Sequence, residues 1–107
     1  VEFKFRGAAV SNRKIYFAPF YVDAIGIYDL NSTNFTTVDI SEQWNKREKF
    51  AGALAVGEDR VIFTPYSANG VGVVDTTTDE FRMKDISKDI SISYKFVGSA
   101  LWGDLVV

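Results

Sequence analysis

One block of sequence occurs twice in this chain, and its opening occurs a third time. The openings are KFRGA from Lys4, KFAGA from Lys49 and KFVGSA from Lys95. A shift of 45 residues aligns the first two openings, and one extra residue in the next turn makes the shift 46. Self-similarity at such a period indicates a repeated supersecondary unit. Identical pairs at the longer shift are Phe17 and Phe63, Pro19 and Pro65, Gly26 and Gly72, Asp29 and Asp75, and Phe35 and Phe81.

Each unit divides into four short strands separated by turn residues. The first unit contains FRGAAV (5–10), IYFAPF (15–20), IGIYD (25–29) and FTTVDI (35–40), and the second unit has the same order. No segment shows a sustained helical period. The sequence therefore predicts a single all-β unit over 1–107, with repeats at about 4–48 and 49–94 and a partial repeat at about 95–107.

Four antiparallel strands within a period of 45 or 46 residues resemble a β-propeller blade, in particular the YVTN-like and kelch-like repeats of surface and secreted proteins. The phrases KFxGA, IYFAPF or VIFTPY, and IGIYD or VGVVD carry this resemblance. The tryptophan–aspartate dipeptide of WD repeats and the double glycine of kelch repeats are both missing. The resemblance implies radially arranged four-stranded sheets with the small-residue first strand innermost, and it slightly favours an extracellular or surface location.

Propellers close with typically 4 to 8 blades, whereas this chain is predicted to hold two blades and the opening hairpin of a third. A blade buries its faces only against its neighbours. Three arrangements follow: a ring completed by further copies of the chain, a piece of a longer propeller, or a compact β-sandwich of the same strands. The expected partners are thus other copies or the rest of a longer propeller, with a protein or carbohydrate ligand as a further possibility.

Composition excludes several kinds of chemistry. The chain has no cysteine and no histidine, which rules out disulfides, thiolate nucleophiles, Cys/His zinc sites and histidine bases within it. No cofactor and no metal are predicted. The formal net charge of −2 gives no basic surface for nucleic acid. No apolar run approaches the roughly 18 to 20 residues that span a bilayer, so no membrane span is predicted.

Four residues are the candidate ligand-binding positions. Trp44 and Trp102 have no counterparts in the other units, and aromatic rings on a sheet face can stack on a sugar or a peptide. Asp39 and Asp85 both stand in the phrase DIS, where a carboxylate can act as a metal ligand or general base, or cap a loop. Packing for the tryptophans and loop capping for the aspartates are the preferred interpretations, and no catalytic residue is assigned.

The turns after the third strands contain further polar residues. Asp75 opens DTTTDE, which resembles a calcium ligand set, but Asp29 repeats the aspartate without acidic residues after it, so Asx turns are expected at both positions. Asn31 and Asn34 each begin an N-glycosylation sequon, which matters in a eukaryotic secreted chain.

The function expected from the sequence is a non-enzymatic β-propeller module that serves as a binding or structural scaffold. Two alternatives come from other functional classes. One is lectin-like carbohydrate binding on a propeller face, and the other is a carboxylate-based hydrolase or lyase at the central channel. Function has to be argued from a site rather than from a fold, and the sequence contains no catalytic pair with convincing spacing.

Overall fold

The chain forms two four-stranded antiparallel sheets. A computed structural model describes residues 4–42, 48–68, 70–85, 101–102 and 105–106. The strand order is β1-β2-β3-β4 in sheet 1 and β5-β6-β7-β8 in sheet 2, and β9 pairs with β10. The all-β prediction is confirmed. The strands are β1 (Phe5–Ser11), β2 (Lys14–Pro19), β3 (Ala24–Asp29), β4 (Phe35–Asp39), β5 (Phe50–Val56), β6 (Arg60–Pro65), β7 (Gly70–Asp75), β8 (Glu80–Asp85), β9 (Leu101–Trp102) and β10 (Leu105–Val106).

The turns between strands follow from local chemistry. In the β1–β2 hairpin, Asn12 and Arg13 adopt φ values of 53° and 61°, the left-handed pair that a two-residue hairpin needs. The β5–β6 turn is one residue longer and contains Gly57 at φ 64°. This extra residue explains why the alignment shift changes from 45 to 46 between the units.

The turns after β3 and β7 are built alike around an aspartate. The Asp29 carboxylate accepts backbone N–H groups of Asn31 and Ser32 at 2.8 and 3.2 Å. Asp75 accepts the backbone N–H of Thr77 at 2.9 Å and its hydroxyl at 2.6 Å. Such bonds to the charged form lower the pKa of both carboxyls. Both aspartates therefore cap their turns, in agreement with the Asx turns that the sequence predicts at these positions.

The two sheets share one register. Phe17 is paired with Gly26 in sheet 1, and Phe63 is paired with Gly72 in sheet 2. The first strand of each sheet carries an irregularity at the same place, between Phe5 and Ala8 and between Phe50 and Ala53. Corresponding residues therefore occupy corresponding positions, so the two sheets can be compared residue by residue.

Each sheet has one face that carries three phenylalanines, here called the phenylalanine face. The ring centroids of Phe5, Phe17 and Phe35 are 5.8 to 6.4 Å apart in sheet 1. The corresponding residues of sheet 2 are Phe50, Phe63 and Phe81, and their ring centroids are 5.7 to 6.4 Å apart. Separations of this size are typical of favourable aromatic pairs.

The opposite face of each sheet, here called the aliphatic face, carries Ile25 and Ile27 in sheet 1. Together with Tyr16 and Ala18 this face packs on the phenylalanine face of sheet 2, and all four of these residues are at most 3% exposed. The core of the described residues therefore lies between the two sheets. Two sheets stacked in this way are compatible with neighbouring blades and with a sandwich.

Candidate functional site

The junction between the sheets is closed at one end by polar contacts. Ser11 Oγ and Thr76 Oγ1 share a hydrogen bond of 3.0 Å, and Asn12 Nδ2 donates to the Thr76 carbonyl oxygen at 3.0 Å. The Tyr16 hydroxyl donates to Asp79 Oδ1 at 2.6 Å, and Lys14 Nζ lies 3.2 Å from Asp79 Oδ2. These contacts join the β1–β2 hairpin of sheet 1 to the β7–β8 turn of sheet 2.

Tyr16 makes the stability of this junction sensitive to alkaline pH. Its side chain is fully buried; burial first, and then the hydrogen bond to Asp79, raise the pKa of the phenol. Because the folded-state pKa lies above the unfolded value of about 10, the stabilisation is complete below pH 10 and falls as the pH rises above it. We expect chemical denaturation between pH 9 and 11.5 to show this fall, and Tyr16→Phe to have a shallower one. An equal slope in both proteins would contradict the assignment.

A second contact at the junction is an ion pair between Lys49, which directly precedes β5 of sheet 2, and Asp23 in the β2–β3 turn of sheet 1. The Lys49 side chain is fully buried, and its Nζ lies 2.6 Å from Asp23 Oδ1, whose side chain is 42% exposed. Among the described residues, no acceptor is placed in hydrogen-bonding geometry to Nζ. The Lys49 backbone N–H donates to the Phe20 carbonyl oxygen at 2.9 Å. Lys49 is therefore held by sheet 1 through both its backbone and its charge.

Removing Asp23 is expected to destabilise the chain, because the Lys49 ammonium would stay buried without a counter-charge. Loss of one partner costs about 3 to 5 kcal/mol in a fully buried pair. The partial exposure of Asp23 lets water screen the pair, so we expect about 2 kcal/mol for Asp23→Ala. The matched variant Lys49→Met removes the buried charge itself and should cost less than 1 kcal/mol. Urea unfolding compares them, and a larger loss for Lys49→Met would contradict this account.

These junction residues were not predicted from the sequence. One signal was present, since a lysine opens every unit at Lys4, Lys49 and Lys95. Lys4 is exposed whereas Lys49 is buried, because sheet 1 covers Lys49 and no described sheet covers Lys4. Lys49 is thus a junction residue, and the difference from Lys4 shows that the environment of this position depends on the neighbouring sheet.

An arginine and two aromatic rings form a further cluster at the β2–β3 side of the junction. The Arg6 guanidinium carbon is 5.2 Å from the centroid of the Phe20 ring and 5.4 Å from that of Tyr66. The two rings meet edge to face, with centroids 5.3 Å apart. Cation–π contacts of this kind stabilise packing. Phe20 is only 3% exposed, so its ring serves the junction and offers little area to a ligand.

Of the four candidate ligand-binding residues, the structure describes the side-chain environment of Asp39 alone. Asp39 is exposed, and its carboxylate accepts the backbone N–H of Ser41 at 2.8 Å, a bond that lowers its pKa. Asp39 therefore caps the end of β4. Asp85 ends β8 and Trp102 ends β9, and only the course of their strands is described. Trp44 lies outside the described residues.

The described residues contain little that resembles a small-molecule site. No group of three metal-ligating side chains occurs among them. An open groove of about 420 Å³ beside β7 and β8 is lined by Val73, Arg82, Met83 and Lys84. The described part of this lining has cationic and apolar side chains and no carboxylate or hydroxyl.

The phenylalanine face of sheet 1 is the most exposed apolar surface of the described residues. Phe35 is 52% exposed there and Val10 is 57% exposed, and Leu30 in the adjoining turn is 45% exposed. The corresponding face of sheet 2 is buried, with Phe50 and Phe63 at 0% and Phe81 at 8% exposure. The same surface is thus covered in one sheet and open in the other, and contiguous exposed apolar patches mark interaction sites.

Within the described residues there is no helix with the length and apolar character that a membrane crossing requires. Comparison with known proteins finds no matching family model, no matching curated protein and no matching solved structure.

Proposed function

We propose that this chain is a non-enzymatic scaffold module of the β-propeller type, in which sheets 1 and 2 are neighbouring blades. One observation carries the proposal. The phenylalanine face is buried by a neighbouring sheet in sheet 2 and left open in sheet 1, as expected of a repeated unit that needs a neighbour on each side. A sandwich has no such need, because its two sheets cover each other's inner faces.

The close approach of the first strands supports the same arrangement. A Cβ atom added to Gly7 of β1 would lie 2.6 Å from Cα of Gly52 in β5. First strands that nearly touch at small residues agree with sheets that converge on a common axis. The carboxylates of Asp29, Asp39 and Asp75 accept hydrogen bonds from their own turns. This capping role gives no support to a carboxylate-based hydrolase.

Two measurements on the full chain test this proposal. Light scattering across a concentration series should give a discrete oligomer, because the open phenylalanine face is expected to be covered by another sheet. We expect no turnover in panels of hydrolase and lyase substrates and no binding to a glycan array. A well-folded monomer at high concentration would favour the sandwich, turnover of a substrate would favour the enzyme, and selective glycan binding would favour a lectin.

A further inference from the structure

The polar contacts at the covered junction have no counterparts on the two faces outside it, the phenylalanine face of sheet 1 and the aliphatic face of sheet 2. The shared register assigns each junction residue a corresponding position in the other sheet. Ser11 and Val56 each end the first strand and pair with the first residue of the next. Tyr16 pairs with Ile27 of β3, and Ile62 pairs with Val73 of β7. Tyr16 therefore corresponds to Ile62. Thr76 corresponds to Leu30, the residue that follows Asp29 as Thr76 follows Asp75.

All three changes go from polar to apolar, and they fall on the phenylalanine face of sheet 1 and on the aliphatic face of sheet 2, where Val56 and Ile62 are half-buried. Ser11 and Tyr16 of sheet 1 are each hydrogen-bonded to Thr76 of sheet 2 across the covered junction. Their counterparts Val56 and Ile62 lie on the aliphatic face of sheet 2, and Leu30 adjoins the phenylalanine face of sheet 1. A hydrogen-bonded cluster can be replaced by an apolar one only if every partner changes, because a single change leaves a buried polar group unsatisfied. The two surfaces are therefore apolar at matching positions, as two surfaces that meet would have to be.

A second set of positions changes in the opposite direction. Val38 and Met83 pack against the core at the covered junction. By register Val38 corresponds to Lys84, and Met83 corresponds to Thr37. Lys84 and Thr37 are both exposed, and Asp39 lies two residues beyond Thr37 on the same strand. These two apolar residues are thus matched by a cation on the aliphatic face of sheet 2 and by polar and anionic groups on the phenylalanine face of sheet 1.

We propose that the phenylalanine face of sheet 1 binds the aliphatic face of sheet 2 in a second copy of this chain. This inference rests on the proposed scaffold function and adds its partner and orientation. The contact reproduces the junction between sheets 1 and 2, with Leu30 against Val56 and Ile62 of the next copy and Lys84 close to Asp39. Two different faces meet, so the contact is head to tail and gives a ring if the rotation closes and a filament if it does not.

Cysteine crosslinking tests the orientation, because the natural chain contains no cysteine. At the covered junction the Ser11 and Thr76 hydroxyl oxygens are 3.0 Å apart, so their counterparts Val56 and Leu30 should bring two sulfur atoms together across the contact. Leu30→Cys and Val56→Cys are prepared as separate proteins, mixed in equal amounts and oxidised mildly. Non-reducing electrophoresis should show a crosslinked dimer in the mixture, well above the level in either protein alone.

The double variant Ser11→Cys/Thr76→Cys is the matched control, and it should form a bridge within one chain. If this bridge forms but the mixture yields no mixed dimer, the proposed contact is overturned. Dimers of Leu30→Cys alone would also overturn it, since they would place two phenylalanine faces together. Absence of the mixed dimer is expected as well if residues 95–107 cover the aliphatic face of sheet 2 in place of a second copy.

A charge placed at the contact gives an independent measurement. Leu30→Glu should reduce the mass measured by light scattering to that of one chain at concentrations where the natural protein associates. Ser32→Glu adds the same charge two residues away in the same exposed turn and should leave the mass unchanged. The natural chain could form an oligomer, turn over no substrate and bind no glycan, while Leu30→Glu leaves the oligomer intact. That result would support the scaffold proposal and overturn the proposed contact.

Discussion

Phe63→Ala is expected to remove a large part of the stability of the chain. The Phe63 ring is fully buried between the sheets and lies 5.7 Å from Phe50 and 6.4 Å from Phe81, centroid to centroid. Truncating a buried phenylalanine to alanine costs about 3 to 5 kcal/mol, from lost transfer free energy and the cavity that remains. The whole free energy of unfolding of a small domain is only about 5 to 15 kcal/mol. Urea unfolding followed by fluorescence and circular dichroism measures the loss.

Phe17→Ala is the matched control, because Phe17 occupies the corresponding position on the open phenylalanine face of sheet 1. Phe17 is partly exposed, so in the dissociated chain we expect a loss of only about 1 kcal/mol. The comparison has to be made at a concentration low enough to dissociate copies. At high concentration the difference between the two variants should narrow, since association would bury Phe17 as well. Equal losses at low concentration would show that the two faces are equally covered in one chain.

Gly7→Ala has the second largest expected effect. Gly7 has φ +98°, a conformation that L side chains rarely adopt, and an added Cβ would be 2.6 Å from Gly52 Cα and 2.9 Å from Gly52 N. Those neighbouring atoms are backbone, so no side-chain rotation relieves the overlap. The strained φ costs about 1 to 2 kcal/mol, and the overlap adds about 1 to 3 kcal/mol. We expect a total near 3 kcal/mol, measured as a lower midpoint of thermal and urea unfolding.

Gly57→Ala separates the two causes. Gly57 also has a positive φ, +64°, but nothing lies within 4 Å of its added Cβ. The variant should therefore lose only the conformational part, about 1 kcal/mol. If Gly7→Ala loses no more unfolding free energy than Gly57→Ala, then the first strands of the two sheets are not in close contact. That result would contradict sheets that converge at their first strands.

The strands could be predicted from the sequence because their signals are local. Apolar alternation, prolines at strand ends and Asp/Asn-rich turns lie within a few residues of one another, and β2 (Lys14–Pro19) and β6 (Arg60–Pro65) agree with the predicted segments to within one residue. The internal alignment also predicted which positions correspond, such as Phe17 with Phe63. The all-β class followed from these signals together with the absence of a helical period.

The junction could not be predicted, because its partners are far apart in the sequence. Ser11 is hydrogen-bonded to Thr76, 65 residues later, and Lys49 is paired with Asp23 in the other sheet. Corresponding residues also differ in burial, since Lys4 is exposed and Lys49 is buried. No local pattern distinguishes a residue that a neighbouring sheet will cover from an identical one that remains open.

The sequence by itself determined the elements and the all-β class, because hydrophobic alternation and turn chemistry act over short distances. It also determined that histidine and cysteine chemistry are absent from this chain. Only the tertiary structure decided which face of each sheet is buried and which residues close the junction. The physical reason is that burial depends on which sheet lies opposite. The three phenylalanines of sheet 2 are core, whereas the corresponding three of sheet 1 are partly or largely exposed.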